Sequence, residues 1–468
     1  MVRRGRLVRQ ETADRRRHGR AGDQMQDHCG RPGLTSLQNA SLDDFSAELV
    51  ARALARGASA AQARASDDRY FEMQFDNRGY DLVRSVQNAA ASITVFLDGK
   101  RGDASLNGRS TEEVAAALDS AFFAAEAGVA DEANDVAAAP SLPASRHGLD
   151  IADRATMGEG VESLLARLRS EFPLVRIRDS LHSFSDVETA FANSRGVAQK
   201  ERRARYNFSA LFMAREGSRA SSVNWAEASS YQPFGNPFHA LGLGRLLDEA
   251  VRSLDPRPVP CKFEGDVIIT PECFAGLAGS IGEALSGASL FAGTTPFVDK
   301  KGEMIASPLF SLANRPCDKS APGGADFDGF GVPTSDLEIV TNGRLNDFLI
   351  DYFFSRKLKA PQTAGAWRFT VTSGDASLAA MIAGVKRGIL FSRFSGGGPN
   401  SNLDFTGVAK NSFYIEDGEI RHALGETMVS GNFQELLKNI YAVSRERVDF
   451  GSASYPWLAA SGVVISSK

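Results

Sequence analysis

The triple glycine Gly396-Gly397-Gly398, in the stretch SGGGPNSN, is a candidate for chemistry because glycine loops can cradle phosphate. Such loops open directly into a helix, whose first N–H groups bind the phosphate, and a lysine usually follows. Here Pro399 and Asn400 follow, and LDFTGVAKNSFYIEDGEI then alternates like strands. The pattern therefore predicts a connection between strands, in which glycine allows positive φ or a close backbone approach.

Metal chemistry would need histidines or cysteines at ligand spacing, and the sequence contains few of either. No two histidines stand four or five residues apart in a predicted helix, so an HExxH zinc motif is absent from the sequence. The four cysteines contain no CxxC pair, which also argues against a disulfide framework. The residue pattern alone predicts no metal bound by this chain. The histidines are His18, His28, His147, His182, His239 and His422.

Nucleophilic catalysis has no local signature in this sequence. There is no Gly-x-Ser-x-Gly elbow, and Cys273 stands beside Glu272 without a histidine nearby. A triad assembled from distant residues stays open. Acidic residues are common at turns for structural reasons, and this applies to two carboxylate pairs: Asp326 with Asp328, and Asp417 with Glu419.

Helical and strand patterns alternate along the chain after residue 40. Helices are predicted from Ser41, from the capping box of STEEVAAALDSAFFAAEAGV, over MGEGVESLLARLRSEFP, and from Pro271 to Ser286 in a stretch of small residues. Strands that alternate polar and apolar residues are joined by Asn-Arg-Gly, Asp-Gly and Asn-Gly turns. The predicted class is α+β, with mixed, mostly antiparallel sheets and packed helices.

The chain of 468 residues is longer than one hydrophobic core normally supports, so several domains are expected. Residues 1–40 are predicted to be a disordered leader, with nine arginines in its first 33 residues and Met25 as an alternative start. Composition shifts and proline-rich segments then divide the chain into an N-terminal α/β domain over 41–147, a central domain over 148–260 and a C-terminal domain over 261–468.

Composition narrows the classes of partner. The formal net charge is −4, so bulk electrostatics favours neither nucleic acid nor a membrane surface. No run of eighteen apolar residues predicts a membrane span. Scattered cysteines without a framework are typical of a reducing cytoplasm, where we expect the protein to reside.

Three stretches of the C-terminal domain resemble the TldD/PmbA family, once described as modulators of DNA gyrase. They are DFDGFGVPTSDLEIVTNGRLNDFLIDYFFSRKLKAP, SGGGPNSNLDFTGVAKNSFYIEDGEI and GETMVSGNFQELLKNI. The resemblance is specific over about 262–468 and weaker, though in the same order, back to about residue 41. It implies a TldD/PmbA-like fold.

In this family a TldD-type subunit carries zinc on an HExxxH helix and pairs with a TldE/PmbA-type subunit that lacks the motif. The resemblance places that helix at LAGSIGEALSG, with the histidine positions at Ala278 and Glu283 and the catalytic glutamate position at Gly279. The zinc-binding cysteine position falls near Phe450. Alanine and glycine cannot bind zinc or activate its water. The resemblance therefore implies that this chain has no zinc and no catalytic residue of its own.

The implied function is the non-catalytic subunit of a cytoplasmic, heterodimeric zinc metallopeptidase that processes unfolded or short peptides. Zinc is expected on the TldD-type partner subunit, and no cofactor is expected on this chain. Backbone groups freed by glycine could pair with an extended peptide. The substrate-binding candidates are therefore Gly396, Gly397, Gly398, Gly431 and Asn432, with a turn that binds no ligand as the other interpretation.

Two other functions stay open at this stage. One is an independently active hydrolase with an unrecognised site, which would need perturbed titratable residues in a deep pocket. The other is a regulatory or binding protein of the gyrase-modulator kind, in which the arginines of the leader would contact nucleic acid. Whether Glu283 has a role of its own is also open.

Overall fold

The computed structural model describes residues 40–240, 242–396 and 398–467. The predicted leader over 1–40, with Met25, lies outside these residues except for Ala40. None of the helices in the described ranges is both long enough and apolar enough to cross a bilayer.

The N-terminal half is built around one sheet with the strand order β3-β2-β1-β5-β6-β4, in which β7 and β8 also pair with β6. Neighbouring strands are antiparallel, except that β4 runs parallel to β6. The elements are α1 Leu42–Ala55, β1 Ala60–Asp76, β2 Gly79–Leu97, β3 Lys100–Leu106, α2 Thr111–Ala127, β4 Ser145–His147, α3 Arg154–Glu171, β5 Val175–Asn193, β6 Ala198–Glu216, β7 Arg219–Ala220, β8 Asn224–Ser230, α4 Pro237–Ala240 and α5 Leu243–Arg252.

This sheet takes strands from both sides of the predicted boundary between residues 147 and 148. Strand β1 pairs with β2 along one edge and with β5 along the other, so the segments 41–147 and 148–260 share a single sheet. Two hydrophobic clusters cover it, one with α1 and α2 and the other with α3 and α5. The domain boundaries themselves stay predictions.

The predicted signals for the first two helices are confirmed. The Ser41 side chain accepts a hydrogen bond from the Asp44 N–H and so caps α1. Ser110 and Glu113 form a reciprocal capping box at the start of α2. Each cap satisfies N–H groups that the first helical turn leaves without partners, and this fixes where the helix begins.

The C-terminal half forms a larger mixed sheet. Its elements are β9 Phe263–Ile269, α6 Pro271–Ala284, α7 Gly287–Ala292, β10 Leu312–Asn314, β11 Leu337–Thr341, β12 Arg344–Leu345, α8 Tyr352–Leu358, β13 Phe369–Val371, α9 Leu378–Gly384, β14 Arg387–Phe391, β15 Arg393–Gly396, β16 Asp404–Lys410, β17 Phe413–Glu416, β18 Glu419–Ala423, β19 Thr427–Asn432, α10 Phe433–Lys438, β20 Ile440–Asp449 and β21 Ser454–Ser467.

Strand β21 pairs with four other strands and so connects the parts of this sheet. The main strand order is β12-β11-β10-β13-β21-β9-β14-β17-β18, and β19 and β20 also pair with β21. Strand β16 pairs with β15 on one side and with β19 on the other. Antiparallel pairs predominate, with β9–β14 and β13–β21 as parallel pairs. The predicted α+β class with mostly antiparallel sheets is confirmed.

The predicted Asp-Gly and Asn-Gly hairpin turns are also confirmed. Their two central residues all have positive φ, the conformation that type I′ turns require. Such turns match the twist of the flanking strands, which is why the dipeptides mark the hairpins so reliably. The three pairs are Asp98-Gly99, Asn342-Gly343 and Asp417-Gly418.

A polar cluster joins the first sheet to the turn around Asp326. His147 Nε2 lies 2.8 Å from the Asp326 carboxylate, and the Ser145 hydroxyl donates to the same carboxylate oxygen. Arg203 forms ion pairs with Glu201 at 3.2 Å and with Asp326 at 3.5 Å. Because serine and histidine both bind the aspartate, the cluster lacks the serine–histidine contact of a nucleophilic relay. It positions the turn instead.

His182 of β5 makes the stability of the N-terminal half depend on pH. The side chain is fully buried, and burial lowers its pKa from 6.5 to about 4. The unfolded chain therefore binds more protons between these values. The free energy of unfolding should fall by up to about 3 kcal/mol as the pH drops from about 6.5 to 4. Urea unfolding at a series of pH values measures this loss.

Replacing this imidazole tests the assignment. The variant His182→Phe should lose most of the pH dependence in this window, whereas His239→Phe, at an exposed position, should keep it. An unchanged pH profile in His182→Phe would contradict the assignment of the effect to His182.

Candidate functional site

Helix α6 carries the positions that the resemblance assigns to a zinc motif. Thr270 caps it by accepting a hydrogen bond from the Cys273 N–H at 3.3 Å, and Pro271 opens its first turn. Small residues let the helix pack closely in the C-terminal core. The buried face contains Phe274, Leu277, Ala278 and Ile281.

Two cavities in the described part of the chain border α6. The first, which we call the loop cavity, has a volume of about 470 Å³ and lies between the second half of α6 and residues 399–403. The second, the cross-sheet cavity, also of about 470 Å³, lies between the first turns of α6 and strands β6 and β8 of the other sheet.

The structure does not bring the predicted zinc-motif positions together. Ala278 is 3% exposed and belongs to the core. Gly279 and Glu283 border the loop cavity, whereas Phe450 borders the cross-sheet cavity. Of these four residues only Glu283 has a side chain that could coordinate a metal, so they do not fit a zinc ion. Within the described ranges, no three His, Cys, Asp or Glu side chains cluster closely enough to hold a metal.

The glycine loop connects β15 with β16, as predicted, rather than opening a helix. Gly396 pairs with Gly407 across these strands. A Cβ added at Gly396 would lie 2.9 Å from the Gly407 Cα and 3.0 Å from the Thr406 carbonyl oxygen, so the pairing requires glycine here. Gly397 lies outside the described residues. A Cβ at Gly398 would meet Ser280 Oγ at 3.7 Å, which is ordinary van der Waals contact with a residue that lines the loop cavity.

Asn432 forms hydrogen bonds with the C-terminal end of the glycine loop. Its Nδ2 donates to the Asn402 carbonyl oxygen at 2.9 Å and to the Asp404 carboxylate at 2.8 Å. Its Oδ1 caps α10. A Cβ at Gly431 would lie 3.1 Å from the Phe405 ring. These two predicted residues lie behind the loop rather than along the cavity, and a role in binding substrate stays a prediction for them.

The residues that line the loop cavity can form hydrogen bonds, but they do not provide a paired nucleophile and base. Hydroxyl groups and one amide surround a single carboxylate, that of Glu283, and the described lining residues include no His, Cys or Lys. Such groups can hold polar backbone but cannot supply acid–base catalysis at neutral pH through a pair of matched groups. The hydroxyl and amide residues are Ser280, Ser289, Thr294, Asn400 and Ser401.

Other candidate groups have structural roles. Burial raises the pKa of the Cys273 thiol, which therefore stays protonated and is a poor nucleophile. The Asp328 carboxylate accepts the Phe330 and Val332 N–H groups at 2.8 and 3.0 Å, which is the turn role predicted for it.

Sequence reasoning missed the cross-sheet cavity. Three residues of β8, Trp225, Glu227 and Ser229, line it, and their spacing of two in NWAEASS already places them on one face of the strand. The signal that they face a cavity is absent from the sequence, because the opposite wall comes from Glu272 and Tyr455, far along the chain.

Comparisons with known proteins agree with this fold. Residues 262–467 match the family model described as PmbA/TldA metallopeptidase C-terminal domain. The chain is 26% identical over 402 residues to the metalloprotease PmbA homolog of Haemophilus influenzae, covering 81% of this chain and 87% of the relative. It is 24% identical over 405 residues to metalloprotease PmbA of Escherichia coli O157:H7, covering 82% and 88%.

Solved structures show the same fold over nearly the whole chain. A Bacteroides thetaiotaomicron protein described as a candidate modulator of DNA gyrase superposes with a TM-score of 0.81 at 21% identity, covering 91% of this chain and 98% of the other. TldE from Thermococcus kodakarensis superposes with a TM-score of 0.75 at 21% identity, covering 90% and 99%.

Residues 262–467 thus match the C-terminal domain of the TldD/PmbA family, and relatives named metalloprotease PmbA align with most of the chain.

The two described glycines of the loop should differ in their tolerance of a side chain. Gly396→Ala forces a backbone contact apart and should lower the free energy of unfolding by about 1–3 kcal/mol. Gly398→Ala meets only ordinary contact and should change it by less than about 0.5 kcal/mol. Urea unfolding of both variants measures the difference. Equal destabilisation would contradict the strand pairing at Gly396.

Proposed function

We propose that this chain is the non-catalytic, TldE/PmbA-type subunit of a heterodimeric zinc metallopeptidase that acts on unfolded or short peptides. The observation that carries the proposal is the composition of α6, where the zinc-motif positions hold Ala278, Gly279 and Glu283. The proposal assigns the zinc and the catalytic glutamate to a TldD-type partner subunit.

The single carboxylate of Glu283 does not provide enough ligands for a metal site. Catalytic zinc usually takes three protein ligands and a water molecule. Placing a histidine at Ala278 would also force a large polar side chain into a position that is 3% exposed. These features support a helix that has kept its packing role without the zinc chemistry.

The loop cavity is the place where this subunit would contact peptide. Strand β15 pairs with β16 along one edge, and its other edge has no strand partner in the described ranges. An extended peptide can add to such an edge through backbone hydrogen bonds. Gly398, which lies next to Ser280, and the hydroxyl groups of the cavity lining would then follow the peptide backbone.

The proposal also places both subunits in the cytoplasm. Cys261, Cys273 and Cys317 are free, and free thiols are typical of proteins in a reducing compartment.

Co-expression with the TldD-type protein from the same source tests the proposal. Zinc content and cleavage of an unfolded peptide are measured for each subunit alone and for the purified mixture. Activity should require both subunits, and the zinc should remain with the partner. The variant Glu283→Gln of this chain should leave the zinc content of the mixture unchanged, since the ligands are assigned to the other subunit.

The same assay distinguishes the alternative of an independently active hydrolase. Cleavage by this chain alone, or one tightly bound zinc per chain, would contradict the proposal. A matched control is a partner in which the motif glutamate is replaced by glutamine. That mixture should assemble and bind zinc but should not cleave peptide.

A further inference from the structure

The cross-sheet cavity is a second concave site, separate from the loop cavity. One wall is the face of β6 and β8 that carries Trp225 and Glu227, and the other is formed by Glu272 of α6 with Phe450 and Tyr455. The Ser229 N–H donates to the Phe450 carbonyl oxygen at 2.9 Å, which holds the two walls together. Its volume of about 470 Å³ lies within the range of sites for small organic groups.

Both charged residues that line the cavity are glutamates, and two arginines contact the lining from outside it. Glu227 and Glu272 line it, and the described lining residues include no Lys, Arg or His. Glu227 has no ion-pair partner within the described part of the chain. A cavity whose only charged lining residues, among those described, are carboxylates attracts a cation, and its low-dielectric walls strengthen that attraction.

Glu272 is only partly neutralised. Arg245 donates to Oε1 of Glu272 and, at 2.9 Å, to Oε1 of Glu249, so a single guanidinium serves two carboxylates. Oε2 of Glu272 is buried and has no hydrogen-bond partner among the described residues. Glu249 is buried, and this burial raises its pKa. A buried carboxylate oxygen without a donor is unfavourable, and a rotation of the Glu272 side chain that turned this oxygen into the cavity would let a cationic ligand satisfy it.

The remaining wall is aromatic and suits a flat cation. Trp225 already contacts one guanidinium, that of Arg393, whose Cζ lies 4.2 Å from the ring centroid. The rings of Phe450 and Tyr455, with centroids 6.3 Å apart, add further aromatic surface. Guanidinium groups stack on aromatic faces and bind carboxylates with paired hydrogen bonds.

We propose that the cross-sheet cavity binds a guanidinium group, namely an arginine side chain of a peptide, between Glu227 and Glu272. The inference rests on the proposed function only in taking the occupant to be part of a peptide. It gives this subunit a preference for basic residues through two carboxylates and aromatic rings, whereas the described lining of the loop cavity has one carboxylate and no aromatic ring.

Isothermal titration calorimetry of the full chain alone tests the inference. The probe is Nα-acetyl-L-arginine amide, and the matched neutral probe is Nα-acetyl-L-citrulline amide, which has nearly the same shape without the charge. The arginine probe should bind at least about tenfold more tightly than the citrulline probe. Equal affinities, or no binding of the arginine probe, would overturn the inference.

Two variants locate the binding. Glu227→Gln and Glu272→Gln should each weaken binding of the arginine probe by about tenfold. Glu159→Gln, at an exposed position on α3 away from the cavity lining, should bind like the unmodified chain. Glu272→Gln disturbs the Arg245 cluster, so the exposed Glu227 decides the result if the Glu272 variant does not fold. Unchanged affinity in Glu227→Gln would overturn the inference.

These results are separate from those of the two-subunit assay. The titration needs neither the partner subunit nor zinc, so a failure of arginine binding leaves the proposed subunit role standing. If the chain binds arginine but proves active alone, the proposed function fails while the binding site stands.

Discussion

The close packing of α6 in the C-terminal core is the constraint on which the site depends. The helix has one apolar face, which includes Phe274 and Leu277, and this face fixes its rotation. Positions outside this face border two cavities, with Glu272 and Ala275 on one and Gly279 and Glu283 on the other. Any chemistry on this helix is therefore limited to what its exposed edges carry, because the buried edge has no room for larger polar groups.

The two cavities differ in chemical character although they share a helix. The loop cavity offers mainly hydroxyl and amide groups, beside the Glu283 carboxylate, and these suit the uncharged backbone of an extended chain. The cross-sheet cavity offers carboxylates and aromatic rings that suit a cationic side chain. A peptide engages proteins through both kinds of group, with the backbone giving affinity and the side chains giving specificity. If both proposals hold, these two tasks are separated along α6.

Local features of the fold could be predicted from the sequence. The caps at Ser41 and Ser110 and the turn at Asp98-Gly99 depend on residues within a few positions of one another, so the pattern contains the whole cause. The glycine loop was predicted as a strand connection for the same reason. The specific need for glycine at position 396 was not predicted, because it depends on the close approach of strand β16.

Long-range pairing could not be predicted in this way. Nothing near β1 indicates that its second edge pairs with β5, and so the shared sheet of the N-terminal half was not predicted. In the site, the resemblance grouped Phe450 with Ala278 and Glu283, but the fold assigns Phe450 to a different cavity from Glu283. Which residues meet across a cavity is set by how whole sheets pack, and short sequence patterns do not contain that information.

The place of β21 in the second sheet has a consequence for biosynthesis. Val267 of β9 pairs with Ala460 of β21. Strand β9, the first strand of this half, can therefore form this pairing only after almost all of the half has been translated. Until then, β9 lacks its main antiparallel neighbour and the apolar face of α6 has no complete core to cover it. Exposed strand edges and apolar surfaces make nascent chains prone to aggregation. The C-terminal half therefore completes its sheet only late in translation.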